Sequence, residues 1–178
     1  YNMIDIFDDE LTQMDENEAR VEQEVSAAIQ LKDPIRTLAK KCVVLSEDAS
    51  LDEALKAFKK HSTGCVILTK DKKITGIFTE RDIVLGVLGK RLDFSQSSVK
   101  DFMTPNPHTL RMEDPISFAL NMMVDGGFRH IPIVDKKNCP KGIISILNIV
   151  EHLGTVFHEE IMNLPPKPLR KQNKQEGG

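Results

Sequence analysis

Apolar positions along this chain fall in short continuous runs or at helical spacing, and the order of the stretches occurs twice. Residues 42–45 form a short apolar run that predicts a strand. Ser50 and Glu53 then make an S-x-x-E capping box. Leu51, Ala54, Leu55 and Phe58 follow at helical spacing, with Lys56, Lys59 and Lys60 on the wet side. Gly64 breaks the chain. Residues 65–69 and 74–78 read as two strands joined by the polar turn 70–73, and a second helix runs from Glu80 to about Leu88. The succession then begins again. Residues 109–111 predict a short strand, and Asp114 a cap with Pro115 at the first helical position. Ile116, Ala119, Leu120 and Met123 form a buried stripe, ended by Gly126-Gly127. Residues 131–134 and 142–145 predict strands, and Leu147 to about Glu159 a helix.

The two stretches align in pattern more than in letters. Ala54-Leu55 matches Ala119-Leu120, Val66-Ile67-Leu68 matches Ile131-Pro132-Ile133, and Gly76-Ile77-Phe78-Thr79 matches Gly142-Ile143-Ile144-Ser145. Each unit alone is too small to bury a good core. Packed together they share one, and a pseudo-twofold axis between them leaves clefts. The chain therefore divides into an N-terminal segment 1–34, a first repeat 35–94, a linker and second repeat 95–160, and a tail 161–178.

Residues 4–30 predict an amphipathic helix. Ile4, Leu11 and Val25 share one heptad position; Phe7, Met14, Val21 and Ala28 share another, and Glu18 breaks the seam. Two readings are open: a coiled coil with a partner helix, or a helix docked on its own domain. In either case Leu11, Met14, Val21 and Val25 are expected to be buried. Asp33-Pro34 ends the element. This segment is acidic, with nine carboxylates against Arg20, whereas the Pro-rich tail is basic and expected to be disordered.

Composition removes several classes. The net charge of −3 gives no global pull toward nucleic acid. No apolar run approaches the ~20 residues of a membrane span, and no signal peptide opens the sequence. It starts at Tyr1, as a trimmed or processed piece would. Cys42, Cys65 and Cys139 form no CxxC pair, so buried thiols in a reducing, cytoplasmic setting are expected rather than a metal site. No nucleophile stands beside a base and no glycine-rich phosphate loop occurs, so no catalytic function is expected.

Two segments carry candidate chemistry. In Thr79-Glu80-Arg81-Asp82 a strand ends and a helix begins. Thr79 and Asp82 fit a capping box, and the same geometry suits a ligand: helix N–H groups attract an anion, and a carboxylate accepts from ribose hydroxyls. In Phe128-Arg129-His130, basic groups precede a strand and follow flexible Gly126-Gly127. Arg129 can bind phosphate bidentately or form a surface ion pair; His130 can serve a ligand or sit hydrogen-bonded in the core. His108 and Thr109 lie at a similar strand edge.

Together the doubled unit, GIFTERD, DFMTPNPHTL and GFRHIPIV resemble a tandem cystathionine-β-synthase (CBS) domain pair, or Bateman module, over about residues 35–157. The resemblance implies an α+β fold in which two strand-helix-strand-strand-helix repeats pack through small sheets. It implies a regulatory module whose clefts bind an adenosine-containing ligand: AMP or ATP first, then ADP, NAD(H) or S-adenosylmethionine. It implies a homodimer built on the last helices, with Ile83, Val84, Val87, Ile149, Val150 and Leu153, and a regulated partner protein. A ligand-independent dimerisation module is the alternative. Carried over, a first cleft combines Thr79, Arg81 and Asp82 with His108, Thr109, Phe128, Arg129 and His130. A second combines Ser145 and Asn148 with Val43, Thr63 and Gly64. Asn148 stands where Asp82 stands in the first repeat, so the first cleft is expected to be the stronger site.

Overall fold

The computed structural model describes residues 31–155, together with Arg20, Val21 and Val25 of a preceding helix. Its first half contains β1 (Val44–Ser46), α1 (Leu51–His61), β2 (Cys65–Lys70), β3 (Lys73–Thr79) and a final helix α2. Helix α2 is one α turn, Glu80–Asp82, continued as a π-helical turn, Ile83–Val87. The second half contains β4 (Thr104–Pro105), α3 (Ile116–Gly126), β5 (His130–Val134), β6 (Pro140–Ser145) and α4 (Ile146–Gly154).

Local chemistry fixes most of these elements. Ser50 and Glu53 cap α1 reciprocally, a device worth about 0.5–2 kcal/mol. The turn between β2 and β3 places Asp71 and Lys72 at φ 50° and 66°, the left-handed pair of a tight hairpin. Gly127 closes α3 at φ 64°. Two expectations change. Residues 109–111 make only one parallel bridge, Leu110 to Ile133. Pro115, not Asp114, is the cap position of α3; the Asp114 carboxylate instead accepts from the Arg111 N–H at 2.8 Å and tightens the preceding turn.

The sheets show why residues 65–68 of β2 and 131–134 of β5 are apolar without interruption. Strand β1 pairs parallel with β2, which pairs antiparallel with β3, which pairs with β4; β5 pairs with β6. Val66 and Leu68 point into the first core with Leu51, Ala54, Phe58 and Phe78. Ile67, between them, points the other way and meets Val134 of the second repeat. Such a strand is covered on both faces, so the usual alternation with polar residues disappears.

The linkers cross between the halves. Residues 31–40 lead into β1 of the first half but pack on the second: Ile35 is fully buried in the second core with Ile116 and Ile133, and Lys40 pairs with Ile143 of β6. Residues 94–105 do the reverse: Val99 is fully buried in the first core, and β4 pairs with β3. Burying one such side chain stabilises by about 1.5–3 kcal/mol. A buried Glu47 secures the second crossing, accepting Lys100 at 3.1 Å and Lys70 at 3.4 Å; these hydrogen bonds hold its carboxyl below the usual range.

Most of the predicted N-terminal helix, and all of residues 156–178, lie outside the described residues. Val21 and Val25 are 57% and 53% exposed. Neither is buried on the described part of the module, against the docking expectation. The helix pairing predicted for residue 4 onward lies outside the described part.

The crossing yields the first test. A Cβ on Gly142 would stand 2.9 Å from the Lys40 carbonyl oxygen, a backbone atom held by its own hydrogen bond. A Cβ on Gly76 would meet only the Met103 side chain. Gly142→Ala should therefore cost roughly 1–3 kcal/mol, a drop of several degrees in Tm, and more than Gly76→Ala. Calorimetry that ranks Gly76→Ala as the costlier change would refute the rigid-crossing argument.

Candidate ligand cleft

Each repeat ends its hairpin with the same device. In the first, the Thr79 N–H and hydroxyl both donate to Asp82 Oδ2 at 2.7 Å, and the Asp82 N–H returns a bond to the Thr79 hydroxyl at 3.4 Å. In the second, the Ser145 N–H and hydroxyl donate to Asn148 Oδ1 at 3.1 and 2.9 Å, and the Asn148 N–H returns one at 3.3 Å. The following N–H groups are also taken: Glu80 donates to the Gly64 carbonyl at 3.1 Å and Ile146 to the Arg129 carbonyl at 3.0 Å. The capping reading is thus realised at both positions, and few helix N–H groups remain for an anion.

Several residues assigned to the first cleft already have partners within the chain. Asp82 Oδ1 accepts from the Thr104 hydroxyl at 3.3 Å. The Arg81 guanidinium donates to the Gly127 carbonyl at 3.4 Å. His108 stacks on Phe128 with ring centroids 5.7 Å apart and planes 18° apart. Arg129 is exposed, and Thr109 is half-buried. Phe128 and Arg129 also border a smaller apolar recess with Met123, Val124 and Ile146.

The open volume lies at the second cleft. A cavity of about 670 Å³ opens between the repeats, within the ~300–1,000 Å³ typical of small-ligand sites. All five residues assigned to that cleft line it: Val43, Thr63, Gly64, Ser145 and Asn148. His130, grouped with the first cleft by the family resemblance, lines it too. The reason is strand geometry. His130 pairs directly with Ser145 across β5 and β6, so its side chain leaves its neighbour Arg129 and faces the second capping box.

Other lining residues escaped the sequence reading: Lys40, Lys41, Cys42, Val44, His61, Ser62 and Ile143. His61 and Ser62 read as the surface end of a helix. Ser62 adopts φ 46°, and this left-handed turn brings the end of α1 back over the cleft. Lys40-Lys41 is a basic pair ahead of a strand, a signal that becomes legible only once the crossing is known.

Burial controls the cavity's titration. It pushes the Cys65 thiol up to about 12, with smaller contributions from Cys42 and Glu80, and it raises Cys42 as well. Both thiols are therefore protonated at neutral pH and poor nucleophiles. Burial also lowers the His130 imidazole; Glu80 opposes this and Arg129 adds to it. Among the described residues no group of three or more His, Cys, Asp or Glu side chains is placed to hold a metal ion, and no helix is long and apolar enough to cross a membrane.

This chain belongs to the CBS-domain family, whose model matches residues 35–89 and 99–155. An uncharacterized 17.7 kDa protein of Acidianus ambivalens is 32% identical over 114 residues, 64% of this chain and 68% of that protein. The CBS domain-containing protein CBSCBSPB3 of Arabidopsis thaliana is 32% identical over 109 residues, 61% of this chain; the match spans only 20% of that longer protein. Among solved structures, the CBS domain protein PAE2072 of Pyrobaculum aerophilum, complexed with AMP, is 27% identical with a TM-score of 0.60, covering 68% of this chain and 98% of that one.

His130 gives a pH test. Its folded pKa lies below the unfolded value near 6.5. As pH falls through about 6.5, the unfolded chain takes up a proton that the folded one resists, so stability drops until the folded pKa is passed and then levels. Urea midpoints should fall between pH 8 and pH 5.5, and His130→Gln should flatten that part of the curve. An unchanged slope in the variant would show that His130 is not the group responsible.

Proposed function

We propose that this CBS pair is a regulatory module that binds an adenosine-containing ligand between its repeats, AMP or ATP first among the candidates. The cavity at the second cleft carries this reading. It is walled by both repeats, so a ligand there touches Val43, Thr63 and Gly64 from one and His130, Ser145 and Asn148 from the other. Occupancy then biases how the halves sit together, which is what a sensor requires. The AMP complex of PAE2072, similar over most of the described region, supports the ligand class. The protonated thiols in the wall favour binding over nucleophilic chemistry. A ligand at the first cleft, with Thr79, Arg81, Asp82, His108, Thr109, Phe128 and Arg129, has first to displace Thr104 from Asp82 and Arg81 from Gly127.

The test is ligand-linked stability. At 100 times its Kd, a ligand binding only the folded state adds about 2.7 kcal/mol, or roughly 5–10 °C in Tm. AMP, ADP, ATP, NADH, S-adenosylmethionine and 5′-methylthioadenosine should be compared. Asp82→Ala and Asn148→Ala then assign the shift to a cleft. If no adenosine compound shifts the transition at millimolar concentration, the alternative of a ligand-independent assembly module gains.

Assembly belongs to the same proposal. Of the residues expected at a dimer face, Val87 and Ile149 are instead buried in the chain's own cores, at 2% and 0% exposure, where their packing is already complete. Val84, Leu85 and Leu88 at the end of the first repeat, and Leu147 and Val150 in the last helix of the second, are exposed large apolar residues. A twofold homodimer covers such faces with one self-complementary surface. Light scattering at tens of micromolar should give a dimer mass, and Leu85→Glu should shift it toward monomer. A monomer mass for the parent chain sinks this part of the proposal. A regulated partner protein and a cytoplasmic setting complete the reading.

A further inference from the structure

The two repeats share a backbone plan but not an outer face. Helices α1 and α3 are both 11 residues long, and each begins directly after its cap. Glu53, Lys56, Lys59 and Lys60 are therefore the counterparts of Phe118, Asn121, Val124 and Asp125, and all are exposed. Glu53 is held in the capping box and Lys56 pairs with Asp52 at 2.6 Å, so Lys59 and Lys60 form the charged edge of α1. The matching capping boxes align the last helices. Arg81, Val84 and Leu85 of α2 correspond to Leu147, Val150 and Glu151 of α4, again exposed. The first repeat thus joins apolar residues to a cationic edge, and the second joins them to Asp125 and Glu151. A recess sharpens the difference. About 290 Å³ in volume, it lies between the end of α3 and the start of α4, walled by Met123, Val124, Phe128 and Ile146. The corresponding positions of the first repeat hold Phe58, Lys59, Thr63 and Glu80, so that repeat lacks the apolar wall. Leu85, in the π turn of α2, is the most exposed large apolar side chain among the described residues, at 72%. It stands on the repeat without the recess.

The geometry points to a head-to-tail homodimer: Leu85 of each copy enters the recess bounded by Val124 and Ile146 of the other, and the Lys59 and Lys60 edge of one first repeat faces Asp125 and Glu151 of the other copy's second repeat. This rests on the homodimer reading above and adds which face meets which. A twofold axis makes each contact twice, so one knob and one recess per chain close the pair. The opposite arrangement sets first repeat on first repeat. It brings lysine edge against lysine edge, and it leaves both recesses unfilled. Like charges across an interface are penalised, whereas exposed opposite charges add little affinity. Charge therefore sets the orientation, and burial of the leucine holds it.

The experiment is sedimentation velocity on the full chain over a dilution series, for the parent, Leu85→Lys, Val124→Glu and an equimolar mixture of the two variants. Both replaced side chains are exposed within the chain, so each variant should keep its fold, which circular dichroism checks. Each variant alone should weaken the dimer at least about tenfold, since both copies of the contact are lost. The mixture should recover. In a pair made of one variant each, the intact Leu85 of one chain meets the intact recess of the other, and lysine faces glutamate at the second contact. First-on-first pairing has no unaltered contact in that mixture. The parent dimer should also weaken as salt rises from about 50 to about 300 mM, because its facing edges attract. A dimer that Val124→Glu leaves unchanged, a mixture no stronger than either variant, or a parent dimer tightened by salt overturns the orientation and leaves the homodimer reading standing. Masses that grow past the dimer with concentration show an open chain of such contacts and overturn the closed pair. A monomeric parent removes both the homodimer reading and this inference.

Discussion

The backbone crossing between the repeats is the constraint on which the rest depends. Lys40 and Ile143 exchange two hydrogen bonds, each 2.9 Å, across the boundary. On the other side Thr104 and Pro105 pair with Ile77 and Gly76. Each hairpin therefore gains a third backbone partner from the chain that leads into the other repeat. An isolated hairpin is marginal in water, and a sheet edge left open invites other chains. The crossing addresses both problems by covalent economy, because the linker is already there. It also explains two glycines in otherwise β-branched strands. Gly76 and Gly142 occupy matching positions, and each lets the crossing segment approach closer than a Cβ would permit.

The same crossing builds the cleft. Lys40, Lys41, Cys42 and Val43 leave β6 of the second repeat and turn into β1 of the first, forming one wall as they pass. The opposite wall is the second capping box with His130. Neither repeat alone contains the cavity. Ser145, in the wall of the cavity, is also the residue that caps α4, as Thr79 caps α2.

The two clefts are not equal, though the repeats share a backbone plan. Both hairpins carry a register shift at matching places, after Leu68 and after Ile133. The final helices differ. Helix α2 passes into a π turn, with the Leu88 N–H reaching back to the Ile83 carbonyl at 3.0 Å, in a stretch containing Gly86 and Gly89. Helix α4 lacks such interruption until Gly154. In the first cleft Asp82 and Arg81 bond to Thr104 and Gly127, and in the second Ser145 and Asn148 line open space. Backbone symmetry creates two places for a ligand, and side chains decide how each is filled.

The amino-acid sequence alone determined the repeat, its strand and helix order and the capping boxes. These are local properties: Ser50 and Glu53 are three residues apart, and the apolar spacing of α1 and α3 is set within a few turns. Tertiary structure decided what local pattern does not encode. It moved residues 31–40 onto the second repeat, because hydrogen bonding across the boundary depends on where the chain returns. It turned His130 away from Arg129, because neighbours in a strand face opposite sides. It brought Lys41 and His61 to the same wall, though twenty residues separate them in the chain. And it placed the cavity of about 670 Å³ beside Asn148, while it gave Asp82 the Thr104 hydroxyl and Arg81 the Gly127 carbonyl as partners. Such partners lie tens of residues away, and only the folded chain brings them into reach.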